Sequence, residues 1–334
     1  MQGRHKPGRI MEEAMFIQRR SLLAGAAIPS MSMAQTPWPA NPVRFITPFA
    51  PGGGVDTLVR LYCSKLADLT GQSFVVENRA GAGGTIGTTA IARSPADGTV
   101  IGLGSISSLA ISPTMRASLP FDVERDFTYI AGLWQLPNLL IVNKDVPAQT
   151  VPELIALIRR NPGQYTFASP GSGTTVHLAG EMFKQAAGLD MVHVPYRGGA
   201  AAQLDVQAGR VHMIFDNIPQ SLASARTGLA RALAVTSRER SPYAPEIPAM
   251  AEFLPGFDIT SWGSVMGPAG LAAPIVERLS ALTRTALASP DFIARLAENG
   301  ATAWPMTSAD LTEFRRASEA RLAPVIRASG ARIE

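Results

Sequence analysis

Phe45-Ile46-Thr47-Pro48-Phe49-Ala50-Pro51-Gly52-Gly53-Gly54-Val55-Asp56 is an apolar, strand-like run that breaks through proline and three glycines into a helical pattern. The same plan returns more than a hundred residues later, in Tyr165-Thr166-Phe167-Ala168-Ser169-Pro170-Gly171-Ser172-Gly173-Thr174-Thr175. A strand that turns through Gly and Pro into a helix leaves the first backbone N–H groups of that helix unpaired. They point outward, backed by the positive end of the helix dipole, which is an anion-binding arrangement. Two such loops in one chain imply two lobes that grip one acidic ligand.

Working outward from these loops, strands alternate with helices. Residues 43–47 read as a buried strand. Residues 56–70 read as a helix with Leu58, Leu61, Tyr62, Leu66 and Leu69 on one face, closed by Gly71. Strands are expected at 73–77 and 99–103, with a short helix at 85–93 between them. After the polar run 122–126, a strand is expected at 139–143 and a helix at 151–160, stopped by Asn161-Pro162-Gly163. The second loop opens a helix at 175–187, followed by strand 191–194, helix 200–208 and strands 211–215 and 233–236. Helices at 274–288, 291–299 and 308–321 close the chain, the last one starting with Thr307 and Asp310 in a capping-box pattern and broken or kinked by Pro324. This order predicts an α/β fold with a mainly parallel sheet. The terminal helices return to the first lobe, which gives lobe 1 at 35–138 plus 260–334, lobe 2 at 139–259, and hinges near 138–140 and 259–262.

The first 34 residues are read as an export signal. Arg19-Arg20 precedes the apolar run 22–28, and Ser32-Met33-Ala34 is a small-x-small cleavage site. The paired arginines point to twin-arginine export, although ordinary secretion tolerates them too. Met11 and Met15 are alternative starts. The chain has 30 Lys+Arg and 26 Asp+Glu; removing Arg4, Lys6, Arg9, Arg19, Arg20, Glu12 and Glu13 leaves 25 basic and 24 acidic residues. A net charge of about +1 gives no electrostatic footprint for nucleic acid or an anionic membrane. The 300 residues left of 334 suit about two domains, and no later apolar run reaches the roughly 18 residues of a membrane span. One cysteine, Cys63, excludes an intramolecular disulfide framework.

Catalytic signatures are missing. Gly81-Ala82-Gly83-Gly84-Thr85-Ile86-Gly87 has Ile86 where a dinucleotide fingerprint needs its third glycine, so a tight turn into a short helix is favoured. The first loop lacks the Lys-Ser/Thr of a P-loop, and Gly171-Ser172-Gly173 lacks the spacing of a hydrolase elbow. His177 and Glu181 lie four apart and could share a metal, but without a second His at helical spacing a locally bonded histidine is favoured. His193, His212 and Cys63 read as packed residues. Asp56 either caps the helix after the first loop, the favoured reading, or faces a ligand's amine. Asp216-Asn217 lies at the carboxyl end of a strand, where open α/β sheets place their sites, and a plain turn is the alternative. No cofactor and no metal are expected.

These stretches together resemble the substrate-binding proteins of tripartite tricarboxylate transporters, the Bug family. The resemblance rests on residues 42–56, on Val76-Glu77-Asn78-Arg79-Ala80-Gly81-Ala82-Gly83-Gly84, and on Ser94-Pro95-Ala96-Asp97-Gly98. It continues through Phe121-Asp122, Asp126-Phe127, Val192-His193-Val194-Pro195-Tyr196-Arg197-Gly198 and Met213-Ile214-Phe215-Asp216-Asn217. It implies a two-lobed periplasmic binding protein of type II with its cleft between the lobes. Such a protein captures a small carboxylated solute (a di- or tricarboxylate, an acidic amino acid or an aromatic acid) and delivers it to membrane permease subunits. In that family one carboxylate is held by backbone N–H groups of both loops, partly through water. Carried onto this chain, the ligand positions are Pro51, Gly52, Gly53, Gly54 and Asp56 in the first loop, and Ser169, Gly171, Gly173, Thr174 and Thr175 in the second. Ser107, with Ser105 and Ser108, is placed to meet the distal end of the solute or is a plain loop serine, and Asp216 completes the set. Neither loop contains Lys or Arg, so dipoles and N–H groups are expected to hold the anion. The competing readings are a periplasmic enzyme acting on a small carboxylate, and a ligand-presenting partner of a signalling receptor.

Overall fold

Strand β1 (Val43–Thr47) buries Val43, Phe45 and Ile46 and pairs in parallel with β2 (Phe74–Asn78) on one side and β3 (Val100–Ser105) on the other. The computed structural model describes residues 38–330, so the export signal expected at 1–34 lies outside the described residues. Helix α1 (Gly54–Thr70) crosses between β1 and β2, burying Leu58, Leu61, Tyr62 and Leu66, and ends where Gly71 turns left-handed at φ 69° and its N–H bonds Ala67 O at 2.8 Å. Helix α2 (Thr85–Ala92) links β2 to β3, and a π-helical turn, Ser107–Ile111, leads from β3 into the short α3 (Ser112–Met115).

Strand β4 (Phe127–Asn143) organises the molecule. Its first part pairs antiparallel with β9 (Thr260–Pro268) as far as Pro137 opposite Thr260. From Asn138 opposite Asn217 it pairs instead with β7 (Met213–Asn217) and β8 (Ala230–Val235). Around β7 lie α4 (Val151–Arg160), β5 (Tyr165–Ser169), α5 (Thr175–Ala187), β6 (Met191–Pro195), α6 (Gly199–Gln207) and α7 (Ile218–Arg226), with β5 parallel to both β6 and β7. The strand order is β2-β1-β3-β9-β4-β7-β5-β6, with β8 and β10 (Thr302–Ala303) pairing β4 off this path.

The sequence reading began β4 twelve residues late and gave β9 no strand. Gly132, Pro137 and Asn138 look like breakers, yet the strand is covered almost throughout, and Pro137 sits where β4 changes partner. Tertiary pairing overrides local propensity here.

Helices α8 (Ala273–Leu287) and α9 (Pro290–Glu298) return to the first half. Leu279, Leu282, Phe292 and Leu296 share a core with Leu58, Tyr62 and Trp134, and Tyr62 Oη lies 2.6 Å from Thr283 Oγ1. Helix α10 (Ser308–Ala328) starts with the Thr307 hydroxyl accepting from Asp310 N, as expected. It is not broken at Pro324. The proline is exposed, so the Ala320 carbonyl it leaves unbonded meets water, while Leu322, Ala323 and Ile326 stay buried and hold the last turns down.

Candidate functional site

The carboxyl ends of β1, β2, β3, β5, β6 and β7 all open on one cavity of about 590 Å³. It lies where β4 and β9 pass from one half of the sheet to the other, and Trp134, Ser261, Trp262 and Gly263 contribute to its wall. Convergence of strand ends on a crevice is the usual siting of ligands in open α/β sheets.

From one side the first glycine loop brings Gly53 and Gly54 to the wall. Gly53 is the N-cap of α1 and offers no side chain, so the first N–H groups of that helix have no intrahelical or capping partner. Asp56 is therefore not the cap. Its carboxylate folds back: Oδ2 accepts from Gly52 N at 3.0 Å and Arg60 Nε at 2.9 Å, and Oδ1 accepts from Asn78 Nδ2 at 2.7 Å. Burial would raise its pKa, but these bonds outweigh that and hold the group below the usual carboxylate range. Asp56 lines the cavity as the clasp of its own loop.

From the other side the second loop presents Gly171, Thr174 and Thr175. Thr174 is the N-cap of α5 and its hydroxyl accepts from His177 N at 3.3 Å, leaving the N–H groups at the first two helical positions without an intrahelical partner. Thr175 Oγ1 bonds Ser261 Oγ at 2.7 Å. Ser107 lines the wall at the π-helical turn, beside Ser105, whose hydroxyl lies 3.2 Å from that of Ser108. Asp216 also lines it, fully buried, with Oδ2 accepting from Gln203 Nε2 at 3.1 Å and Oδ1 from Asn217 N at 2.8 Å. Desolvation pushes its pKa up to about 6 against those bonds.

Pro51, Gly52, Ser169 and Gly173 do not line the cavity; the first two are exposed, and the last two are buried beside it. Gly52 O accepts from Gln220 Nε2 at 2.7 Å across the cleft. The Ser169 hydroxyl is held by His193 Nε2 at 2.6 Å and accepts from Gly171 N at 3.2 Å. Gly173 N donates to His177 Nδ1 at 3.3 Å. The His177 and His193 rings lie 4.1 Å apart, tilted by 33°, and burial pulls their pKa values down to about 4 and about 3, so both are neutral near pH 7. His177 Nε2 is 3.8 Å from Glu181, and among the described residues no group of three or more His, Cys, Asp or Glu side chains is arranged to hold a metal. Cys63 is buried, which raises its thiol pKa.

The sequence reading missed part of the wall. The turn 80–84 after β2, the segment Tyr196 to Gly199 after β6, and Gln220 and Trp262 all reach it, beside Asn217, which the sequence had placed at a strand end together with Asp216. So do two cations, Arg116 and Arg197, which belong to neither glycine loop. The signal was positional, since the segments at 80–84 and 196–199 directly follow parallel strands. The halves meet across the cavity, where a Cβ on Gly83 would lie 2.6 Å from Ser172 O and one on Gly54 3.2 Å from Asn217 Cβ.

With this geometry in hand, the family model described as Tripartite tricarboxylate transporter family receptor matches residues 58–331. The chain belongs to that receptor family, which includes the Bug proteins. BugT of Bordetella pertussis is 35% identical over 314 residues, covering 93% of this chain and 96% of its own. A structure from R. palustris solved with adipate superposes with a TM-score of 0.85 at 34% identity, covering 88% of this chain and 98% of that one. MatC from Rhodopseudomonas palustris, solved with bound malate, gives 0.81 at 28% identity, covering 86% and 99%. The family resemblance drawn from the sequence and the two-lobed binding-protein fold both hold. The chain is accordingly a solute-binding receptor.

Proposed function

We propose that this chain is a periplasmic receptor that holds a small dicarboxylate in the cavity and hands it to the permease subunits of a tripartite tricarboxylate transporter. The observation that carries this reading is the pairing of two glycine-rich helix N-termini, at Gly53–Gly54 and Thr174–Thr175, on opposite walls of one 590 Å³ cavity. N–H groups aimed into such a space favour a carboxylate without a salt bridge, and the volume suits a small molecule. Neutral His177 and His193 and the clasped Asp56 serve the walls, so binding and release, rather than bond-making, are their role. The solutes in the two R. palustris structures, adipate and malate, have the same two-ended acidic chemistry.

The lobes divide where β4 changes partner, at residue 138, and where β9 begins, at residue 260, with lobe 1 at 35–138 plus 260–334 and lobe 2 at 139–259. Export follows the Arg19-Arg20 signal, with cleavage after Ala34. No described helix is long and apolar enough to cross a membrane. Calorimetric titration of the processed protein with adipate and malate tests the reading. Saturable one-to-one binding of at least one dicarboxylate is expected, and heat from neither these nor a panel of C4 to C8 dicarboxylates would overturn it.

A further inference from the structure

Arg116 stands on the cavity wall with its charge unanswered. Nη2 donates to Ala82 O at 2.8 Å, Nε is buried without a partner, and no carboxylate among the described residues pairs with the guanidinium. The side chain is half-buried, and desolvation draws its pKa below the ordinary arginine value. The acids near it are committed elsewhere. Asp122 and Asp126 share a shallow depression with it, but Asp122 is 2.9 Å from Arg125 and Asp126 accepts from Asp122 N at 2.7 Å. Of the wall's own acids, Asp56 is clasped by Arg60, and Asp216 is buried with a raised pKa. Arg197 is exposed, so water already answers its charge. A partly desolvated cation with free donors is a poor arrangement unless something anionic completes it.

We propose that Arg116 receives the second carboxylate of the solute and thereby makes the cavity selective for acids with two anionic ends over their one-ended analogues. The inference rests on the carboxylate reading above. One carboxylate meets the two helix N-termini, and the other meets a planar fork matched to carboxylate geometry. A monocarboxylate of the same length leaves the fork unpaired and puts a methyl group against it.

The test is calorimetry of the processed protein with adipate and hexanoate, on wild type, Arg116→Gln and Arg116→Lys, each checked for an unchanged melting profile without ligand. Wild type should prefer adipate. Arg116→Gln should lose about 10- to 100-fold for adipate, the scale of a charge-assisted hydrogen bond, with hexanoate unchanged, and Arg116→Lys should recover part of the preference. Equal losses for both acids would overturn the proposal, because they would assign Arg116 to shaping the Ala82 turn. No loss for either would overturn it while leaving the carboxylate reading intact. Failure of wild type to bind either acid or any dicarboxylate would defeat both.

Discussion

Replacing Gly53 by aspartate should move stability and binding in opposite directions. Gly53 has φ −83° and ψ 164°, ordinary extended backbone, and an added Cβ would find only Ala50 O at 3.9 Å. The substitution therefore introduces no strain. It also places a favoured N-cap residue at an uncapped helix start, which is worth a few tenths of a kcal/mol over glycine, plus about 0.3–1 kcal/mol from the helix dipole. The new carboxylate would take the N–H groups of α1 that the solute is argued to use. Losing one or two charge-assisted hydrogen bonds costs about 1.5–3 kcal/mol each, so affinity for a dicarboxylate should fall by about 10- to 150-fold or more. Gly53→Ala, with the same Cβ and no charge, should bind like wild type. Urea unfolding and calorimetry on the three proteins give both readouts. Undiminished dicarboxylate affinity in a folded Gly53→Asp protein would refute the reasoning, because the anion would then sit elsewhere and the loop would be only a connection.

Gly83→Ala should hinder closure: at φ +65° the new Cβ would lie 2.6 Å from Ser172 O, so an overpacking cost of about 1–3 kcal/mol should weaken binding, and small-angle scattering should show less compaction at saturating ligand than in wild type. Asp216 carries a pKa raised to about 6. The folded state thus holds its proton more tightly than the unfolded chain, and this group's contribution is lost as pH rises from about 4 to about 6, by up to about 3 kcal/mol. Asp216→Asn should lack this term, so urea unfolding should show the variant gaining on wild type between pH 4 and pH 7. Arg315 is buried on α10, bonding Leu109 O at 3.3 Å, Glu319 at 2.6 Å and Glu124. Arg315→Ala should cost about 3 kcal/mol in chemical denaturation and loosen the π-helical turn that carries Ser107.

The elements flanking both glycine loops were legible because local rules governed them: a buried strand, a Gly-Pro break, then apolar residues at helical spacing. Leu58, Leu61, Tyr62 and Leu66 announce α1, and Gly71 its end. What stayed hidden depended on partners distant in sequence. The first part of β4 exists because β9, more than a hundred residues away, pairs with it. Asp56 looked like a cap by position, but its partners Arg60 and Asn78 direct it into a clasp. Arg116 carries no signal of its own, since only the fold brings residue 116 beside the turn at Ala82 and leaves it without an acid. Backbone donors of the site could be read from glycines and helix starts, whereas its side-chain charges could not.

A crystal structure of the processed protein with a bound dicarboxylate tests the central claim most directly. One carboxylate should lie within hydrogen-bond distance, or one water, of backbone N–H groups from both helix starts, at residues 53–55 and 174–176. A solute held by side chains alone, or bound outside this cavity, would contradict the account.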